Sequence, residues 1–205
     1  MNDELWKLTN AQHQTYGGCQ WGPGVTHRAS GGGRFCGPGW IHAYTSPRLA
    51  VLLNPIHAGF SSPVLWRAEG VVGKRDHGLK VGCINLTTLE IVEAPVYSRE
   101  QTIAFAIFCG QAVYRRPVCP VWSYWADGWL SGANRSKAAA QAAAGAAEAM
   151  VQAAMVQAAV VHAAVAQAAV AQAAARAAAW AAVLAALAAP LDLDALALCA
   201  LKWQP

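Results

Sequence analysis

The stretch that decides the fold is residues 36–57, CGPGWIHAYTSPRLAVLLNPIH. Its opening residues Gly37, Pro38 and Gly39 predict a tight turn, because proline fixes φ and glycine accepts positive φ. Residues 40–44, WIHAY, are rich in aromatic and β-branched side chains, which favours a strand. The segment therefore predicts a turn that leads into a buried strand and from there into a helix.

The helix that follows this strand has a defined start and end in the sequence. Thr45 or Ser46 can cap its first turn, which holds Pro47 at a position where proline loses no hydrogen bond. Leucines supply an apolar face over the next two turns. Asn54 followed by Pro55 predicts the end of the helix, because the residue before proline avoids the helical region.

Strands and a further helix are predicted on both sides of this stretch. The alternating or β-rich runs fall at residues 5–8, 63–72 and 79–92, with a polar turn at 73–78. Ser98, with Gln101 three residues later, forms a capping box that opens a helix to about Val113. Together these elements predict the α+β class, with a small antiparallel sheet that carries two helices.

Three tryptophans mark the end of the predicted domain. Trp122, Trp125 and Trp129 recur at helical spacing, which places their indole rings on one side of a helix. A stripe of this kind is typical of core packing. We therefore expect it to seal the domain or to anchor the next helix to it.

Composition divides the 205-residue chain near residue 135. Nearly all the glycine and charged residues precede this point, whereas residues 138–189 are dominated by alanine. We predict a globular domain over residues 1–131, a hinge over 132–137 and an alanine-rich helical tail over 138–205. The net charge of +4 includes no run of more than two basic residues, so no nucleic-acid partner is predicted.

The tail contains an internal repeat of five residues. The repeated polar position is occupied by Gln152, Gln157, His162, Gln167 and Gln172. Five steps of about 100° rotate this position by roughly 140°, so the polar side chains spiral around a helix and leave no coiled-coil seam. The alanine content favours a single long helix; a helix that folds back at Gly145 and a five-residue β-solenoid are the alternatives.

The end of the tail carries an amphipathic stripe. Trp180, Leu184 and Leu187 lie at helical spacing and are the predicted partner-binding residues. They would pack on the chain's own domain, on a second copy in a homo-oligomer, or on a partner. The most apolar part of the tail is too short to cross a bilayer, so no membrane span is predicted.

Cysteine spacing and the N-terminal residues bear on compartment and chemistry. None of the six cysteines forms a CxxC pair typical of a zinc knuckle or redox site. Cys36, His42, His57 and Cys83 would suit zinc chemically, but without close-spaced ligand pairs we predict no metal site. The polar, acidic start predicts no export signal, so we expect reduced thiols in the cytoplasm of a bacterial host.

Several motifs resemble a domain family of unknown function from phage and prophage genomes. They are LWKLT at 5–9, TYGG at 15–18, QW at 20–21, CGPGWIH at 36–42, LAVLLNPIH at 49–57, DHGLK at 76–80 and WLSGA at 129–133. The match covers about residues 5–135. It implies a phage-derived origin and an α+β domain, and it carries no activity with it.

One segment is also similar to the strand-to-helix turn of ADP-ribosyltransferases, in which an aromatic residue stacks on nicotinamide. This resemblance implies that Tyr44 or His42 would line a pocket, that Trp40 would complete it and that Ser46 would begin the helix. The first strand lacks the His-Gly or Arg-Gly of that family. The candidates for its catalytic acid are Glu90, Glu93 and Glu100.

The leading interpretation is a non-enzymatic phage or prophage accessory protein. Its domain would bind a host or phage protein, and its tail would act as a spacer, an oligomerisation element or a docking arm. No cofactor is predicted, because the sequence shows no complete catalytic constellation. The alternatives are an NAD-using enzyme of the ADP-ribosyltransferase type and a tail that is repeat-expanded and dispensable.

Overall fold

A computed structural model describes residues 3–76, 78–113, 120–155 and 192–204. These residues form two compact units. The first contains residues up to 97 together with 192–198, and the second contains residues from 98 onwards together with 199–204. The division of the chain predicted at 131 and 138 stays a prediction.

The first unit is built on a long antiparallel hairpin. Strand β6 (Val64–Asp76) pairs with β7 (Lys80–Val92), and β1 (Asp3–Thr9) pairs with the other edge of β6. The predicted polar turn at 73–78 is wrong, because β6 continues to Asp76 before the chain reverses. Register shifts along the hairpin mark β-bulges, which bend and twist a sheet.

The sheet curls until its two sides meet. Strands β4 (Thr26–Arg28) and β5 (Ile41–Ala43) both pair with β7. Directly after β5, the amide of Tyr44 donates to the carbonyl of Trp6 at 2.8 Å, and the amide of Trp6 donates in return at 2.9 Å. This bridge joins β5 to β1, so that the strands enclose an interior. Two short strands, β2 (Gln14–Thr15) and β3 (Cys19–Gln20), form a separate hairpin.

The interior of the curled sheet is filled by small and medium-sized apolar side chains together with one indole. The buried members of this cluster are Leu5, Trp21, Ala43, Ala68, Val81, Cys83 and Leu86. Since side chains alternate along a strand, Lys7 lies on the same face of β1 as Leu5, and only 8% of it is exposed. The core of this unit therefore contains an amine among apolar groups.

Helix α1 (Pro47–His57) begins as the sequence predicts and ends later. Ser46 caps it by accepting a hydrogen bond from the amide of Arg48, and Pro47 occupies the first turn. The predicted end at Asn54 and Pro55 is wrong, because Pro55 lies inside the helix. The carbonyl of Asn54 still accepts from residues 58 and 59, and its side chain binds the backbone of Phe60, so the real end is formed there.

The second unit contains three helices within its described residues up to 155. They are α2 (Arg99–Val113), α3 (Pro120–Leu130) and α4 (Lys137–Met155). The capping box before α2 is confirmed, since the amide of Ser98 donates to the Gln101 side chain at 3.0 Å and the reverse bond measures 3.1 Å. Helix α4 runs straight through Gly145, so the chain does not fold back at that glycine.

The predicted tryptophan stripe is confirmed as core. Trp122, Trp125 and Trp129 are buried on α3 and pack in one cluster with residues of α2 and α4. Ala140 and Ala143, from the first turns of the alanine-rich segment, belong to this cluster. Small alanine side chains allow α4 to approach the indoles closely, so the stripe anchors the next helix.

Helix α5 (Leu193–Lys202) contributes residues to both units. In the first unit, Tyr97 donates its hydroxyl to the carbonyl of Ala197 at 3.3 Å. In the second unit, Gln101 donates to the carbonyl of Leu201 at 2.8 Å, and the ring of Trp203 stacks near that of Trp129 at 5.4 Å.

The antiparallel sheet and the five helices of the described residues confirm the predicted α+β class. None of these helices is both long enough and apolar enough to cross a membrane. The rod, folded-back and solenoid models for residues 156–191 lie outside the described residues, as do Trp180, Leu184 and Leu187.

Candidate functional site

The four predicted pocket residues, Trp40, His42, Tyr44 and Ser46, lie on one short segment, and whether they line one pocket stays a prediction. Ile41 and Ala43 pack into the interior of the sheet, so His42 and Tyr44 face its other side. Tyr44 is 5% exposed, which places its ring beneath the surface. Each of the four side chains makes its own set of contacts.

Tyr44 is paired with a histidine from the end of α1. Its hydroxyl lies 3.4 Å from Nδ1 of His57, and the two rings stack at 6.0 Å with an angle of 17°. Burial raises the pKa of Tyr44, so its hydroxyl stays protonated at neutral pH. Burial, with the positive charge of Lys80, lowers the pKa of His57 to about 4. At neutral pH the ring is therefore uncharged.

His42 is held by the loop that precedes β5. Its Nε2 lies 2.7 Å from the carbonyl of Phe35, and the two rings meet at 5.2 Å. Burial lowers the pKa of His42, and the nearby charges of Lys80 and Lys7 act in the same direction. The bond to Phe35 and the charge of Asp76 oppose this shift. The neutral ring therefore donates its proton to the loop and acts as a structural tie.

Lys80, at the start of β7, is the cation of this region. Its Nζ donates to the Sγ of Cys36 at 3.5 Å and lies 5.5 Å from the centre of the Phe35 ring. Within the described part of the chain it forms no ion pair with a carboxylate. Its charge acts with burial to lower the pKa of both His42 and His57. We call the set Cys36, His42, Tyr44, His57 and Lys80 the Lys80 cluster.

A second amine lies beneath the cluster, and sequence reasoning missed it. The Nζ of Lys7 donates to the carbonyl of His42 at 2.7 Å and lies 5.1 Å from the centre of the Trp21 ring. Burial lowers the pKa of Lys7 to about 8. The signal was available in LWKLT, where the lysine falls two residues after a core leucine and thus on the core face of the strand.

Ser46 has a structural role away from the Lys80 cluster. Its hydroxyl donates to the carboxylate of Asp194, which also accepts from Arg48 through Nε at 3.0 Å and through Nη2 at 2.5 Å. The Arg48 guanidinium holds the pKa of Asp194 below its ordinary value. A carboxylate at the N-terminus of a helix is also favoured by the helix dipole. The C-terminal segment is thereby tied to the start of α1.

Trp40 packs on the hairpin beside β5. A Cβ at Gly73 would lie 2.7 Å from its indole ring, and one at Gly82 would lie 3.1 Å from it. The ring therefore lies flat on two glycines of β6 and β7. Its Nε1 is buried and has no hydrogen-bond partner among the described residues.

Among the glutamates proposed for the transferase chemistry, Glu90 does not face these residues. His42 pairs with Gly82, eight residues before Glu90, which is about 26 Å along a strand at about 3.3 Å per residue. Glu90 instead forms an ion pair with Arg67 at 2.7 Å, and Glu93 lies further along the chain. Glu100 belongs to the other unit.

The residues considered for zinc are also dispersed. Cys83 is fully buried inside the sheet, where burial raises its pKa to about 11, whereas Cys36 is exposed. In the part of the chain that the structure describes, no three histidine, cysteine, aspartate or glutamate side chains come together in a group able to hold a metal ion.

No protein-family model, curated protein or solved structure matches this chain. The phage resemblance therefore stays a prediction, and so does the similarity to ADP-ribosyltransferases. The chemistry of the described side chains is the remaining basis for a functional conclusion.

Proposed function

We propose that this protein is a phage or prophage accessory protein and that its sheet unit is a non-enzymatic binding module. The partner would be a host or phage protein that presents a carboxylate group to the Lys80 cluster. The phage origin rests on the resemblance in sequence. The binding mode rests on the geometry around Lys80.

The observation that carries the proposal is a cation without a carboxylate partner among the described residues. Lys80 has three N–H donors, of which one points to a sulfur atom, a weak acceptor. His57 uses Nδ1 in its hydrogen bond with the Tyr44 hydroxyl, so Nε2 is the ring nitrogen that would meet a ligand. A charged amine with N–H donors that no carboxylate among the described residues occupies complements one carboxylate of a partner.

The same geometry favours binding over catalysis. His42 donates to a backbone carbonyl, the Tyr44 hydroxyl is committed to His57, and Ser46 is bound to Asp194. A catalytic site needs a nucleophile or base that is free to exchange a proton with its substrate. These side chains are held by the protein itself.

The alanine-rich segment would serve the module as a spacer or an oligomerisation element. Its first turns pack against the tryptophans of α3 and thereby fix where the segment starts. The stripe at Trp180, Leu184 and Leu187 would supply the second contact, to a partner or to another copy of the chain.

Peptide selection tests the carboxylate proposal. The full chain would be immobilised and presented with a random peptide library, and the selected peptides measured by titration. We expect enrichment in aspartate and glutamate, and binding about tenfold weaker for Lys80→Gln, which removes the charge. Lys74→Gln is the matched control, since Lys74 is an exposed lysine on the same hairpin. Equal losses in both variants, or selection without acidic residues, would overturn the proposal.

A further inference from the structure

The thiol of Cys36 and the amine of Lys80 form an unusual pair on the surface of the sheet unit. Their Sγ and Nζ atoms lie 3.5 Å apart although the residues are 44 positions apart in the sequence. Cys36 is exposed, so small oxidants reach its sulfur. No carboxylate among the described residues pairs with the amine, and the centre of the Phe35 ring lies 5.5 Å from its Nζ atom.

The other described cysteines lack this combination. Cys83 and Cys109 are buried, and burial raises their pKa to about 11 and about 12, which makes them unreactive at neutral pH. Cys19 is partly buried and has His27 as its neighbour at 3.5 Å. Cys199 is exposed on α5. Cys36 is thus the thiol at which exposure and an adjacent amine coincide.

We propose that Cys36 and Lys80 form a redox-sensitive modification site, at which peroxide converts the pair into a reversible sulfur–nitrogen crosslink. The crosslink itself does not depend on the proposed function. Only its effect on the binding of an acidic partner rests on that function. The product is a sulfenamide between two side chains, a class of bond that sulfenic acids form with nitrogen nucleophiles.

The reaction balances with one equivalent of peroxide. The sulfur attacks one peroxide oxygen, the O–O bond breaks, and the products are a sulfenic acid at Cys36 and water. The Lys80 ammonium gives one proton to the solvent, the nitrogen lone pair attacks this sulfur, and the S–O bond breaks. The departing oxygen takes a proton from the nitrogen and leaves as a second water. The sulfur is oxidised by two electrons, the peroxide is reduced, and the protein loses two hydrogen atoms.

The local backbone permits the short movement that this bond requires. Cys36 lies in the loop between β4 and β5, two residues after Arg34 and between glycines at 33 and 37. Gly33 has a φ of 79°, a conformation that glycine adopts without strain. Lys80 has a long flexible side chain at the first position of β7. Rotation of this side chain would bring the nitrogen to the sulfur without any change in the paired strands.

The crosslink would close the binding site. A sulfenamide nitrogen carries no ammonium charge, so the cation that would bind a carboxylate is lost. The loop would at the same time be fixed across the start of β7. Oxidation would thus release an acidic partner, and reduction by a thiol would restore binding.

Mass spectrometry of the full chain tests the crosslink without reference to binding. The protein would be treated with hydrogen peroxide, and its intact mass and tryptic peptides compared with those of Lys80→Arg and Cys36→Ser. We expect a loss of two hydrogens, a linked pair of peptides that contain residues 36 and 80, and no cleavage after Lys80. Dithiothreitol should reverse all three. Lys80→Arg keeps the positive charge but lacks the amine, so we expect sulfenic or sulfinic acid at Cys36 and no linked pair.

Two results would overturn the proposal. One is the same loss of two hydrogens in Lys80→Arg, which would assign it to a disulfide. The other is stepwise gain of oxygen at Cys36 in the natural chain with no linked peptide. The peptide titration distinguishes failure of the crosslink from failure of the proposed function. A crosslink without acidic-peptide binding would refute the binding module alone, and binding that survives peroxide would refute the switch alone.

Discussion

Lys7 shows how a single side chain can link stability to pH. An amine inside an apolar sheet is costly in its charged form, and here one carbonyl and one indole face compensate in part. The other charged or titratable groups that act on it are the thiols of Cys83 and Cys19. The folded state therefore gives up the lysine proton more readily than the unfolded chain does.

The free energy of unfolding should rise between about pH 8 and pH 10.5 relative to that of Lys7→Met. In this window the unfolded chain holds the lysine proton and the folded protein does not, since burial lowers the pKa of Lys7 to about 8. We expect a relative gain of about 2 kcal/mol, measured by urea denaturation at the two ends of the window. Lys74→Met, at an exposed position, serves as control. Parallel pH curves for the natural chain and Lys7→Met would contradict the prediction.

His57 should destabilise the fold in mild acid. Burial and the charges of Lys80 and His42 lower its pKa to about 4, so between about pH 6.5 and pH 4 the unfolded chain takes up a proton that the folded protein refuses. Stability should therefore fall by about 2 kcal/mol as pH falls through this window. His57→Phe keeps a ring against Tyr44 and should lose much of the slope, with a residual part from His42. Thermal melts at both pH values measure this change. An equal fall in stability for the natural chain and for His57→Phe would contradict the prediction.

At the scale of single elements, two of the glycines inside helices of the second unit, Gly110 and Gly145, differ in what surrounds them. A Cβ at Gly110 on α2 would lie 2.5 Å from the indole of Trp122, whereas a Cβ at Gly145 on α4 would meet nothing within 4 Å. Gly110 lets two helices approach, and Gly145 only weakens its own helix.

Replacing each glycine by alanine should therefore give effects of opposite sign. Gly110→Ala forces the indole to move in a packed core and should cost about 1–3 kcal/mol of stability. Gly145→Ala gains helix propensity and should add up to about 1 kcal/mol. Each serves as the control of the other in guanidinium denaturation followed by tryptophan fluorescence. Two changes of the same sign would mean that the contact with Trp122 does not determine how alanine at position 110 changes the stability.

At the scale of the whole molecule, the C-terminal part of the chain takes part in both units. Asp194 binds Ser46 and Arg48 in the first unit, and Ala140 and Ala143 pack with the tryptophans of the second. The alanine-rich segment thus begins inside a hydrophobic core.

Deletion of residues 138–205 should therefore damage the fold. The tryptophans of α3 would lose the helix that covers them, and α1 would lose its carboxylate partner. We expect the emission of the shortened chain to shift to longer wavelengths and its amides in 120–130 to exchange rapidly with solvent. Asp194→Asn, which removes one contact, should leave the tryptophan emission unchanged. A shortened chain with native emission and exchange would support the dispensable tail.

The candidate site was predictable in its parts and not in its assembly. His42 and Tyr44 were identified from one strand, and His42 is held as a structural histidine would be. The partners Phe35, His57 and Lys80 come from a loop, a helix end and a strand start, and no spacing rule joins them. The burial of Lys7 could be predicted from the two-residue alternation of side chains along β1.

The sequence by itself determined the local structure: β1, the cap and first turn of α1, the capping box of α2 and the buried face of α3. These features depend on neighbours within a few positions, where propensity, capping and periodicity act. Only the tertiary structure decided how the sheet closes, since that depends on the bridge between Trp6 and Tyr44, 38 positions apart. The length of the hairpin and the placement of Lys80 beside Cys36 follow from the same long-range pairing, because contacts between distant segments are chosen by burial and backbone pairing across the whole unit.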